Sequence, residues 1–178
     1  MGVFWSRGYG ATALPDLLRA TRLSRGSLYA AFGDKHGLFL LALDRYISDA
    51  LTRMDLELDP RRSPIDGLRD FLAGYVDRVS GANGRRGCLL VATAMEMGGR
   101  DPEVDRRIGH FFKAMESRLV VALSRAQATG QLIDSADPAV AARLLVCFVE
   151  GLRVVGKTSP ARAASQAAVD LLLDRLIK

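Results

Sequence analysis

Thr12-Ala13-Leu14-Pro15-Asp16-Leu17-Leu18-Arg19-Ala20-Thr21-Arg22-Leu23-Ser24-Arg25-Gly26-Ser27-Leu28-Tyr29-Ala30-Ala31-Phe32-Gly33-Asp34-Lys35 is the stretch on which the reading of the whole chain turns. Thr12 is placed to cap a short helix over residues 13–20. Pro15 falls in its first turn, where a missing N–H has no intrahelical partner to lose. Thr21, Arg22 and Leu23 form a three-residue turn, and Ser24 caps a second helix over 25–32. Gly33 stops that helix, and Asp34 starts a longer one. Leu17, Leu18, Leu23, Leu28 and Phe32 recur where two crossed helices bury them against Phe4, Leu38 and Phe39. Such a unit is a helix-turn-helix, whose second helix faces outward and is sized for a major groove.

The outward side of that second helix carries chemistry suited to a duplex. Arg25 has the reach for a phosphate or a guanine edge, Ser24 and Ser27 offer hydroxyls, and Tyr29 adds another. Gly26 costs the helix about 1 kcal/mol against alanine, but removes bulk where a backbone could approach DNA. Lys35 opens the next helix, whose free N–H groups favour an anion. Charge agrees with this. Residues 1–46 hold six basic side chains (Arg7, Arg19, Arg22, Arg25, Lys35, Arg45) against three acidic ones (Asp16, Asp34, Asp44), an excess of three. The whole chain of 178 residues carries +5. A basic quarter is the footprint of a surface that meets a polyanion, although a solvated face has the same composition.

Gly10-Ala11-Thr12, Leu17-Leu18 and the run from Leu23 to Lys35 together resemble the DNA-binding signature of the TetR family. The resemblance covers about the first 45 residues. It implies a homodimer with a variable C-terminal ligand-sensing domain. It also implies operator contacts from the matching positions Thr12, Arg25, Gly26, Ser27, Tyr29 and Lys35. Tyr29 and Lys35 would hold phosphates, and Arg25, Gly26 and Ser27 would lie nearest the bases. One departure is Arg22, where the family carries a turn glycine in the left-handed conformation. The first helix also begins later than the family's.

Outward from this stretch the chain reads as all-α, with about nine helices, the first three short. Helices are expected over 35–54, 65–79, 88–97, 101–129, 137–155 and 160–177, and Gly81-Ala82-Asn83-Gly84 as a loop. The expected organisation is a DNA-binding domain over 1–46 and a helical effector-binding and dimerisation domain over 47–178. Gly87-Cys88-Leu89-Leu90, followed by Asp101-Pro102-Glu103-Val104, resembles one branch of TetR-type C-terminal domains.

That second domain presents no Ser/His/Asp set, no paired metal-ligand histidines and no phosphate-cradling glycine loop. The reading is therefore a transcription regulator rather than an enzyme, with no metal and no cofactor. Its partners are operator DNA, a second copy of itself and a small-molecule effector of unspecified class. Tyr75, Met95, Glu96, Phe111, Phe112 and Met115 are candidates to line an apolar effector cavity, with ordinary core as the alternative. Glu96, alone in an apolar segment, would anchor a cationic or hydroxylated ligand, face water or pair with an arginine. Leu144, Leu145, Phe148 and Leu152, with Val169, Leu172, Leu173 and Leu176, are candidates for a symmetric four-helix dimer contact. Cys88 and Cys147 read as small buried hydrophobes, and His36 as an exposed helix-start residue. No apolar run approaches the ~20 residues that span a bilayer, and the first residues lack the order of a signal peptide. A cytoplasmic location is the expectation.

Overall fold

A computed structural model describes residues 1–178 and contains ten α-helices. They are α1 (Gly2–Arg7), α2 (Leu14–Thr21), α3 (Arg25–Phe32), α4 (Lys35–Glu57), α5 (Pro64–Val79), α6 (Gly81–Arg86), α7 (Leu89–Met97), α8 (Pro102–Ala128), α9 (Pro138–Thr158) and α10 (Arg162–Asp174). No strand forms; the one β contact is an isolated antiparallel bridge between Leu132 and Ile177. The nine expected helices are present, and α6 is added where a loop was expected. Its glycines favour a loop locally, but packing against α9 overrides that preference. A β-carbon on Gly84 of α6 would sit 2.9 Å from the Gly156 carbonyl oxygen of α9, so only glycine permits this close approach.

The helix starts follow local chemistry. Ser24 accepts the Ser27 amide at 3.0 Å, and Asp34 accepts the Gly37 amide at 2.7 Å. Asp137 accepts those of Ala139 and Val140 at 2.8 and 3.0 Å, with Pro138 in the first turn. Each satisfies amides that the helix itself leaves open. Thr12 departs from its expected role. The cap of α2 is Ala13, whose amide donates to the Asp16 carboxylate at 3.3 Å. The Thr12 hydroxyl instead donates back to the Gly8 carbonyl at 2.6 Å.

The chain divides into two compact units, Met1–Asp49 with Cys88–Gly109, and Ala50–Gly87 with His110–Lys178. The first holds α1 to α3, residues 35–49 of α4, α7 and the start of α8. Its core is Phe4, Leu17, Leu28, Phe39 and Leu43, with Leu89, Leu90 and Val104. Phe4 meets Phe39 edge-on with ring centroids 5.1 Å apart. Leu18, Leu23, Phe32 and Leu38 are only half-buried. For Phe32 this corrects a core assignment: it is the last residue of an eight-residue helix, where burial fades. Residues 88–109, which sequence alone groups with the C-terminal half, belong to this unit.

The second unit packs α5, α6, α9, α10, the end of α4 and the rest of α8. Phe71, Leu72, Val76, Met115, Leu119, Leu123, Leu145 and Val149 form its core. Leu145, Val169 and Leu176, expected at a dimer contact, are buried here within a single chain. No helix is long and apolar enough to cross a membrane.

Candidate nucleic-acid interface

Leu28 is fully buried and fixes which way α3 faces. With that side chain turned in, the helical period turns Arg25, Gly26, Ser27 and Tyr29 out, and all four are exposed. Tyr29 is 41 % exposed. Ser27 Oγ lies 2.8 Å from Ser24 Oγ, so the two hydroxyls are held side by side at the start of the helix. The open space around Gly26 leaves the backbone accessible: a β-carbon there would meet nothing nearer than Ser24 Oγ at 3.9 Å.

The charges at this end are mostly uncompensated. The Arg25 side chain forms no hydrogen bond or ion pair within the chain, and neither does that of Arg22. Arg19 has only a loose contact, 3.7 Å from Asp16 Oδ1. Lys35 is half-buried, and its ammonium lies 4.4 Å from the centre of the Tyr9 ring. Tyr9 thus braces the stem of Lys35 without neutralising it. Burial, then the Asp34 and Asp101 carboxylates, raise the Tyr9 hydroxyl above the usual phenol range. The ring therefore stays neutral at physiological pH.

Thr12 is not part of this surface. It is 1 % exposed and its hydroxyl is committed to Gly8, which corrects its assignment as a DNA contact. Arg22 holds φ 59° and ψ 25°, a left-handed conformation costing a side-chain-bearing residue about 1–2 kcal/mol.

Two carboxylates absent from the expected DNA-reading unit hold its frame. Glu96 of α7 accepts the Tyr9 amide at 2.9 Å and the Gly10 amide at 2.6 Å. Gly8, at φ 78°, turns the chain so that these amides point together, and a β-carbon on it would lie 2.7 Å from Glu96 Oε2. Glu96 is thus a structural clasp and not a ligand anchor. Asp101 Oδ2 lies 2.6 Å from His36 Nε2, while its Oδ1 accepts the Glu103 and Val104 amides at 3.0 and 3.2 Å. Burial pulls the Asp101 carboxyl upward, but these amides and His36 outweigh it and leave its pKa below the ordinary value. His36 is accordingly a paired residue, against the expectation of free exposure.

In the second unit, Tyr75, Phe111 and Met115 are buried and come together around a cavity of about 20 Å³ that Met54, Phe71 and Arg78 also line. That is space for roughly one water. The Tyr75 hydroxyl lies 3.5 Å from Met115 Sδ and 3.4 Å from Glu150 Oε1. Arg78 and Arg153 lie over the Tyr75 ring at 4.5 and 4.8 Å. Burial raises the Glu150 carboxyl above the ordinary glutamate range, with Arg153 the largest opposing influence. Its Oε2 is buried without a hydrogen-bond partner. Sequence reasoning missed Glu150, since a lone glutamate on an apolar helix gives no sign of which way it faces. Met95 does not line the cavity: it is 83 % exposed, because Met97, two positions on, takes the inward side of α7. Phe112 is half-buried and lies outside the lining. A larger opening of about 320 Å³ lies along Asp55, Leu58, Arg118 and Val121, and none of the expected ligand residues borders it.

A different surface runs along α9. Val140, Leu144, Cys147, Gly151 and Val154 are all exposed, and they follow one another at spacings of four and three. Leu171 of α10 is 61 % exposed. Of the residues expected at a dimer contact, Leu144 is exposed, while Phe148, Leu152, Leu172 and Leu173 are half-buried. Cys147 is exposed, correcting its reading as a buried residue; Cys88 is buried, with Sγ 3.5 Å from the Tyr46 hydroxyl.

Residues 1–42 match the family model described as bacterial regulatory proteins, tetR family. Residues 64–172 match the model of the tetracyclin repressor-like C-terminal domain. The HTH-type transcriptional repressor ComR of Escherichia coli is 27 % identical over 155 residues, covering 86 % of this chain and 74 % of that one. The HTH-type regulator YezE of Bacillus subtilis is 29 % identical over 175 residues, 98 % of this chain and 90 % of that one. A solved structure of the TetR family regulator CifR, complexed with a 26-base-pair double-strand operator DNA, superimposes with a TM-score of 0.82. It is 30 % identical, over 97 % of this chain and 91 % of that one.

Proposed function

From the membership of this chain in the tetR family of bacterial regulatory proteins, and hence its role as a DNA-binding transcriptional regulator, we propose that it is a homodimeric repressor released from its operator by a small molecule. The single observation that carries the DNA-reading part is the outer face of α3. It presents a guanidinium without a partner, two hydroxyls, a bare backbone and a tyrosine, all exposed. Arg25 and Ser27 then read base edges, Gly26 lets the helix approach, and Tyr29 and Lys35 hold phosphates. The unit that holds residues 1–46 performs this reading, and the unit of residues 50–87 and 110–178 takes the effector and forms the dimer.

The α9 stripe supports pairing with a second copy. Apolar residues spaced four and three apart form a straight seam suited to a twofold helix contact, in which each copy presents the same patch. Such a dimer offers two α3 helices to a twofold operator, whose successive major grooves lie ~34–36 Å apart.

The effector space is the cavity around Tyr75, Phe111 and Met115. At its present volume it holds no organic molecule, so occupation requires the surrounding side chains to move. The ligand-bound form is then a different conformation, with a coupling of ~1–3 kcal/mol sufficient for a useful switch. The same small volume favours a second reading, a regulator whose DNA binding needs no small molecule.

Selection of bound sequences from a random duplex pool tests the whole reading. A palindromic consensus is the expected outcome, and a pool without any enriched motif contradicts sequence-specific binding. A compound screen by thermal shift, repeated with the selected duplex present, separates the two readings. Linkage requires that a true effector bind less tightly when the duplex is present. A stabilising compound indifferent to the duplex contradicts release by that compound.

A further inference from the structure

Arg22 is the only residue other than glycine in the chain with a positive φ. Six glycines hold the remaining positions of that kind. In the left-handed region a β-carbon crowds the following carbonyl oxygen, so stability alone selects glycine. The side chain of Arg22 offsets none of this within the protein. It is exposed and makes no hydrogen bond or ion pair.

Its surroundings add a second cost. Arg19 precedes it by three residues and Arg25 follows it by three, and both are exposed. The one carboxylate in reach of Arg19, that of Asp16, already accepts Arg7. The turn between α2 and α3 therefore holds a cation at a strained position, beside other cations. Nothing in the chain repays either cost, but a polyanion lying against the turn repays both.

We propose that Arg22 holds a duplex phosphate at the edge of the groove that α3 enters, positioning that helix without reading sequence. The inference rests on the reading that the outer face of α3 meets DNA. A phosphate contact positions a protein on the duplex and is indifferent to base identity. Its loss therefore weakens binding to every sequence alike, and lowers the number of counterions released.

The test compares the full-length wild type with Arg22→Gly and Arg22→Lys. The probes are a duplex recovered by selection with the wild type and a random-sequence duplex of equal length. Fluorescence anisotropy across 50–200 mM KCl gives affinity and salt slope, and thermal denaturation without DNA gives Tm. Arg22→Gly should raise Tm while weakening both duplexes by the same factor, about eightfold per subunit at 0.1 M salt. Its slope of log affinity against log salt should shrink by about 0.9 per subunit. Arg22→Lys, which keeps both charge and β-carbon, should retain the slope and gain no Tm.

A glycine variant that gains Tm with affinity and slope unchanged overturns the proposal, leaving Arg22 a tolerated strain. Weakening confined to the selected duplex also overturns it, because the contact would then be to a base. A wild type that binds neither duplex in a salt-sensitive way defeats the underlying DNA reading as well.

Discussion

The outer faces of α3 and α9 are both exposed, and they differ in every chemical respect. On α3 the exposed groups are a guanidinium, hydroxyls and a bare glycine, held over a fully buried Leu28. On α9 they are valines, a leucine and a thiol, in a straight seam over the buried Leu145 and Val149. A solvated cationic face costs little in water, whereas an apolar stripe left in water forfeits roughly 25 cal/mol for each Å² it could bury. The first face is stable in water as it stands, and its charge suits an anion. The second would gain from a matching apolar surface laid against it. Exposure alone thus says little about role; the chemistry of what is exposed assigns it.

Breaking the apolar seam should have the largest effect. Leu144→Asp places two carboxylates near the twofold axis of the proposed dimer. Sedimentation should show a monomer, and operator affinity should fall more than a hundredfold, because each α3 must then bind alone. A variant that remains dimeric would move the interface elsewhere. Lys35→Ala sharpens the other side of the comparison. Its operator affinity should fall about eightfold per subunit at 0.1 M salt, with the salt slope lower by about 0.9 per subunit and sequence preference unchanged. Sedimentation of this variant should match the wild type.

Glu96→Gln touches neither face. One amide N–H, of Tyr9 or Gly10, would then meet an NH₂ group, leaving a part-buried donor unsatisfied. The expected cost is about 1–3 kcal/mol of stability, seen as a lower urea midpoint with the m-value unchanged. Unchanged stability would mean that the clasp is not formed in solution.

The smallest effect should come from Glu150, on the inward side of α9. Its folded pKa is raised, so the native state binds the proton more tightly than the unfolded state. Its contribution to stability is complete below the ordinary glutamate range and is lost as pH rises through the raised value. Glu150→Gln should therefore raise Tm by about 2–4 °C at pH 8, and the difference should vanish on acidification to pH 4. A difference that grows toward acid would reverse the sign of the shift.

How much of this was legible from the residues alone depended on how local the cause was. Ser24, Asp34, Asp137 and the prolines marked helix starts because capping acts within three residues. The face of α3 could be read because Leu28 and its neighbours set the helical phase. Thr12 misled because a hydroxyl at a helix start serves equally to cap forward or to bond backward, and local spacing does not distinguish these. Glu96 was illegible for a different reason: the amides it accepts lie 86 and 87 residues away. Met95 and Met97 lie on a helix apolar on nearly every side, so periodicity could not choose the inward one. Along α9 the sequence showed that apolar residues recur, but a seam meant for a partner and a seam meant for the core look identical until the chain is folded. Sequence alone therefore could not separate Leu145 of α9, Val169 of α10 and Leu176, which are buried, from Leu144, which is exposed.

The central claim is that the exposed face of α3 reads the duplex. The most direct measurement is the ratio of affinities for the selected and random duplexes, in wild type and in Arg25→Ala combined with Ser27→Ala. The account predicts that the double variant keeps a steep salt dependence but loses discrimination by roughly 10- to 100-fold, the scale of one good base contact. An undiminished ratio would contradict it, for the bases would then be read by some other part of the chain.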